Sequence, residues 1–199
     1  LHMDSTTTTL GKDANYNSFV IYLGAKLSRS ELSVKLKEQG SDCSLNGLYC
    51  LRNDQQSDHY TSIHHIVPNT TSNQLYKGIL DDISHSVFNG KVTVDLDAQE
   101  INSSQLNKNL LLGSKAHVNT KPELIISAND VKCAHGATIG QLDKEQVFYF
   151  QSRGISEKKA KKLLSHGFSM DVISKVSNKK VQDYLTSSLD RFFEQHIGF

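Results

Sequence analysis

Tryptophan is absent from this 199-residue chain, proline occurs twice, cysteine three times, and no apolar run approaches membrane-spanning length. Each scarcity excludes something. Three cysteines, Cys43, Cys50 and Cys133, are an odd and sparse set, which argues against a disulfide framework and for a reducing compartment. The longest apolar stretches, such as Leu110 to Leu112 and Leu124 to Ile126, fall far short of a bilayer-crossing helix, so a soluble chain is expected. Charge of either sign is also missing in excess: 22 Lys and Arg against 21 Asp and Glu leave +1, which gives no electrostatic footprint for nucleic acid or a membrane surface. No Walker motif, G-x-S-x-G or H-E-x-x-H is present, so ATP hydrolysis, serine hydrolase and zincin chemistry have no support.

What is present divides at about residue 140. From Phe19 to Gly140 the chain runs in short β-type segments. Glu31 to Lys37 and Lys91 to Asp97 alternate apolar and polar residues with period two. Turn clusters are expected at Glu38 to Asp42, Arg52 to Asp58, Pro68 to Asn73 and Asn102 to Ser104. A sandwich, a barrel or a β-helix all suit such a pattern, and no strict repeat chooses among them. After Gly140 the period becomes 3.6. Asp143 with Gln146 suggests a capping box for a helix carrying Val147, Phe148 and Phe150 and stopped at Gly154. Further helices are expected from Ser156 to Gly167, burying Ala160, Leu163 and Leu164, from Met170 to Val176, and from Val181 to Gln195. Residues 1–18, opening with Leu1-His2-Met3 and a Ser/Thr run, read as a tag remnant and flexible lead-in on an internal fragment of a longer protein.

The chemistry concentrates at Val131 to Gly140. Cys133 and His135 are two positions apart, and in a strand they share one face about 6 to 7 Å apart. Such a pair offers a thiolate and an imidazole to a metal but cannot close a tetrahedral site alone. Most unpaired intracellular cysteines are small buried hydrophobes, and that is the competing reading of Cys133. His64 and His65 face opposite sides of a strand, while His59, His85, His117, His166 and His196 lack a partner at ligand spacing, so packing or surface roles are assigned to all of them. Eight Lys and Arg against two acidic residues between Gln151 and Val181 form a basic stretch without interleaved aromatic platforms. Arg153 follows the first of these helices, and one Arg-Gly does not supply the backbone N–H groups of a phosphate cradle.

A series of motifs then appears in fixed order: Ser72 to Gly78, Ser86-Val-Phe-Asn-Gly90, Asn109-Leu-Leu-Leu-Gly113, Thr120-Lys-Pro-Glu-Leu124, Asp130 to Thr138, and Val147 to Ile155. Together they resemble the SufB/SufD family of iron–sulfur cluster assembly proteins. Cys133-Ala-His-Gly-Ala-Thr138 resembles the SufD form, with Ala134 and Gly136 where SufB carries acidic neighbours. The resemblance implies a mainly β chain, a right-handed parallel β-helix over residues 19–140, followed by a small helical domain over 141–199. It further implies a non-enzymatic scaffold that pairs with a SufB-like subunit and docks the ATPase SufC, which would supply the energy of ATP. Cys133 and His135 would lie at the SufB interface as donors to transient iron or a nascent cluster formed only in the full complex. Phe148, Arg153, Lys158, Lys161, Leu163, Leu164 and Phe168 would contribute to SufC docking. No residue pattern specifies a flavin, and bacterial cytoplasm or plastid stroma are the implied compartments. Two rivals remain: a β-helix enzyme acting on polysaccharide, for which Asp81-Asp82 and Asp95 to Asp97 are the acidic candidates, and a SufB-like scaffold that pairs with itself.

Overall fold

A computed structural model describes residues 1–196; for His196 only the backbone is described. Ten strands follow one another: β1 His2–Leu10, β2 Asn15–Tyr22, β3 Leu27–Leu36, β4 Asp42–Leu51, β5 Gln56–His65, β6 Thr71–Leu80, β7 His85–Val94, β8 Ile101–Leu111, β9 His117–Ile126 and β10 Val131–Gln141. Odd strands form one five-stranded sheet in the order β1-β3-β5-β7-β9, and even strands form the other. Every pairing is parallel, giving a mainly β solenoid of about five turns.

The register explains why no strict repeat is visible in the sequence. Leu27 lies over Gln56, Gln56 over His85 and His85 over His117, steps of 29, 29 and 32 residues. Strand lengths stay near ten while the corners absorb the differences. Several corners place a non-glycine residue in the left-handed region, at Asp13, Asn53, Asn69, Asp82 and Glu100. Four of the five are Asn or Asp, the side chains that best tolerate this conformation.

Alternate side chains of each strand point into the solenoid, where Leu32, Val34, Leu36, Leu45, Ile63, Phe88, Val92 and Val94 form an apolar core. Polar residues are stacked rung upon rung beside it. Ser103 bonds to Ser72, Gln105 donates to Gln74 Oε1, and Asn109 and Asn107 are linked to each other and to Tyr49. These ladders overturn the expected turn at Asn102 to Ser104, which lies inside β8. In a parallel stack Ser and Asn satisfy one another between rungs, so their local preference for turns is outweighed. Two tyrosines use glycines in the same way: Tyr49 is in register with Gly78, and Tyr76 with Gly47. A Cβ on Gly78 would lie 2.2 Å from the Tyr49 ring.

The residues expected to be a flexible lead-in, 1–18, are instead β1 and the first half of β2. Asp4 of β1 accepts hydrogen bonds from Tyr22 and Ser30, which ties the first rung to the interior.

Three helices close the described chain: α1 Lys144–Ser152, α2 Glu157–Ile173 and α3 Lys179–His196. Asp143 caps α1 by accepting from the Glu145 amide. At its other end the Gly154 and Ile155 amides bond back to Gln151 and Phe150, with Gly154 at φ 79°, a Schellman closure. The expected break at Gly167 does not occur, and α2 runs through it. A mid-helix glycine costs about 1 kcal/mol, and burial of Ser165, Ser169, Val172 and Ile173 on both sides of it outweighs that. Leu163 was expected to be buried but is exposed, because the buried stripe runs through Ala160, Ser165, Ser169 and Val172.

A second apolar core holds α2 and α3 to the outer face of the even-strand sheet. Leu48, Cys50, Ile79 and Leu110 meet Val172, Ile173, Leu189 and Phe193 there. In the middle of this face stands Lys77, with 2% of its side chain exposed. Its Nζ reaches Asp171 Oδ2 at 2.5 Å and the Phe168 carbonyl at 2.8 Å, and lies 4.3 Å from the Phe168 ring centroid.

Candidate functional site at the open end of the solenoid

Among the described residues β10 pairs with β8 on one side and with no strand on the other; β9 is likewise terminal in its sheet. The last rung therefore presents unpaired backbone donors and acceptors along both strands. Helices α2 and α3 pack on the side of the solenoid, over the outer face of the even-strand sheet. Pro122 lies in β9, consistent with the restriction of strand prolines to edges.

Cys133 is in register with Ser103, and His135 with Gln105. Ser103 and Gln105 face the interior and are each 2% exposed, so Cys133 and His135 stand on the same inward face one rung further out. Having no rung above them, they differ in exposure from the residues below: Cys133 is half-buried against the core and His135 is exposed. Burial pushes the Cys133 thiol above its usual value, and a hydrogen bond with the Ser103 backbone opposes this. The resting thiol is therefore protonated near neutrality, and a metal must displace that proton to bind. Beneath His135, Gln105 gives its amide to Gln74 while its Oε1 is buried without a hydrogen-bond partner. Ala134 and Gly136 face outward, and a Cβ at Gly136 would lie 3.2 Å from Leu106. Among the described residues no three His, Cys, Asp or Glu side chains converge on one point. The pair is an incomplete donor set.

The expected partner-binding residues divide. Phe148 of α1 is 69% exposed, and that helix buries no residue at all. Arg153 lies 4.8 Å from the Tyr149 ring centroid, and Lys158 and Leu163 are exposed on α2. Lys161 is bridged to Glu157 at 2.7 Å. Leu164 is half-buried, and Phe168 packs into the helix–solenoid core beneath Lys77, so its ring supports the domain's attachment. A cleft of about 400 Å³ separates α1 and α2 from the end of the solenoid, lined by Leu111, Leu112, Leu142, Val147 and Lys161 among others.

The acidic candidates of the polysaccharide reading are corner residues. Asp81 accepts the Asp82 amide, Asp82 accepts the Asn53 amide, and Asp95 receives His64 at 2.8 Å. His64 and His65 do diverge, the latter held inside by Thr70 and Ser72. Sequence reading missed one juxtaposition: His85 and His117, separated by 32 residues, stack with ring centroids 4.1 Å apart. Only the length of a solenoid step would have revealed it.

With this geometry in place, comparison with known families is decisive. The profile described as SUF system FeS cluster assembly, SufBD core domain, matches residues 1–168. The chain belongs to the SufBD family. That match begins at residue 1 and so includes β1 and β2, and it extends into α2. An iron–sulfur cluster assembly SufBD family protein of Synechocystis is 41% identical over 184 residues, covering 92% of this chain and 41% of the relative. The iron–sulfur cluster assembly protein SufD of Escherichia coli is 36% identical over 171 residues, 86% of this chain and 40% of that protein. Protein ABCI7, chloroplastic, of Arabidopsis thaliana is 36% identical over 183 residues, 92% of this chain and 38% of its own length. This SufBD chain thus spans about two-fifths of the length of these relatives, which come from bacteria and a chloroplast. Among the described residues no helix is long and apolar enough to cross a membrane.

Proposed function

We propose that this SufBD chain is part of a SufD-like scaffold subunit whose open solenoid end pairs with a SufB-like subunit, and whose helices dock the ATPase SufC. The observation that carries the reading is the position of Cys133 and His135, side by side on the inward face of a last rung that no described strand covers. A partner strand laid along β10 would satisfy the free backbone groups and bring its own donors over the pair. Thiolate and imidazole suit iron and nascent clusters, and an incomplete set allows the cargo to leave. The iron or cluster is cargo, so neither donor needs the closed geometry of a structural metal site. Gln105 Oε1, buried and unpartnered under His135, supplies an acceptor that can hold one imidazole N–H and leave the other nitrogen for metal. Bacterial cytoplasm or plastid stroma is the compartment that fits the relatives.

The ATPase would meet Phe148, Arg153, Lys158 and Leu163, exposed residues of α1, of the turn after it and of α2. Co-purification with SufB- and SufC-type partners tests both contacts separately. Phe148→Glu and Leu163→Glu are expected to lose SufC and keep SufB, while Ile139→Lys on β10 does the reverse. Normal capture of SufC by both helix variants would refute the docking assignment.

A further inference from the structure

We propose that His85 and His117 form a two-imidazole site for a borderline divalent transition metal ion of the Ni²⁺ or Zn²⁺ class. Both residues open their strands on the outer face of the odd-strand sheet, in register on adjacent parallel strands. Register places their backbones one inter-strand spacing apart, about 4.8 Å. The rings stack at 4.1 Å with an interplanar angle of 16°. At that separation a rotation of each ring about its Cβ–Cγ bond turns the in-plane lone pairs toward a common point, while waters can fill the remaining positions around the metal.

The surroundings favour a cation. Nε2 of His85 lies 3.3 Å from the Asn119 amide, which stands one row along the same face of β9 and can turn its oxygen toward a bound ion. Asp58, diagonally placed on β5, acts on His85 with a negative charge, and its Oδ1 is buried without a hydrogen-bond partner. Imidazole donors select nickel, zinc and copper over magnesium or calcium. The site lies on the opposite sheet from Cys133 and His135 and is independent of the scaffold reading.

Isothermal titration with Ni²⁺ at pH 7.5 tests this, in the chain carrying His2→Ala and His135→Ala so that neither the N-terminal histidine nor the open-end imidazole competes. One ion per chain is expected, with Zn²⁺ displacing it. Either His85→Gln or His117→Gln should weaken binding at least tenfold, with an unchanged circular dichroism spectrum; glutamine keeps a planar polar group in the stack. Absence of Ni²⁺ binding in the parent chain would overturn the proposal. So would binding that survives either substitution at full affinity.

Discussion

Replacing Lys77 separates two opposed accounts of how the helices are held. The ammonium is 2% exposed, its carboxylate partner Asp171 is 65% exposed, and the ion pair is closed at 2.5 Å. Burial depresses the Lys77 pKa and outweighs the hydrogen bond and charge of Asp171, which act in the other direction. Asp171 is shifted below the usual carboxylate range, chiefly by its hydrogen bond with Lys77. Desolvation of the lysine thus costs more than the pair returns. Lys77→Met, which keeps the stem packed against Phe168 and removes the charge, is expected to be neutral or stabilising by about 0–2 kcal/mol, the low end for buried pairs because Asp171 stays hydrated. Asp171→Asn leaves the buried ammonium with one carbonyl and a neutral amide. Removing a partner from a fully buried pair costs about 3–5 kcal/mol, and solvent screening at Asp171 reduces this to about 1–3 kcal/mol. The double variant should match Lys77→Met alone, because the asparagine matters only while the charge is there. Urea unfolding with hydrogen exchange read on α2 and β6 gives all three values. If Lys77→Met proves less stable than Asp171→Asn, the pair is a net source of stability and the reasoning fails.

Four other outcomes follow from the interior and from the open end. His59 and His65 are buried neutral, with pKa values pushed down by burial to about 3 and about 4. Their folded values lie below the unfolded one, so stability is complete above about pH 6.5 and falls by up to about 1.4 kcal/mol per pH unit for each histidine toward pH 4. A pH series of urea midpoints that is flat over that window would contradict their burial in the neutral form. Gly78→Ala forces a Cβ to 2.2 Å from the Tyr49 ring and should destabilise by about 1–3 kcal/mol in chemical denaturation, and an unchanged midpoint would show that the ring can move aside. The isolated chain should dimerise with rising concentration in light scattering through its uncovered rung, and Ile139→Lys should return it to monomer; a wild-type chain that is monomeric at high concentration would count against a sticky edge. Deleting residues from Leu142 onward should bare Leu48, Cys50, Ile79 and Leu110 and so reduce solubility, where point variants on α1 and α2 do not.

The legible parts of the sequence were those with local causes. Alternation in Val92, Val94 and their neighbours, the Asp143 cap and the Gly154 stop each act within a few residues, and each was found where the pattern placed it. The order of motifs around Cys133 and His135 led to the family, and the family to the solenoid. Effects of rung upon rung were not legible. Ser103 reads as a turn residue until Ser72 is known to lie beneath it, and β1 reads as a lead-in until Tyr22 and Ser30 are seen to hold Asp4. Gly167 reads as a helix end until the solenoid face that buries Ser165 and Ser169 is in place. His85 and His117 are unrelated in sequence because the corners on both sides of β8 lengthen their step to 32 residues. In each case the missing information is a contact with a part of the chain remote in sequence.

The central claim is that His135 donates to cargo held between this subunit and its SufB-like partner. The most direct measurement is cluster production in cells that depend on the SUF system alone, with His135→Ala placed in the full-length protein and the complex verified by co-purification. The account predicts an intact complex, unchanged thermal stability and a clear loss of iron–sulfur enzyme activity, with Cys133→Ala equal or milder. Normal cluster production by His135→Ala in an intact complex would contradict it, leaving His135 as an ordinary residue of the interface.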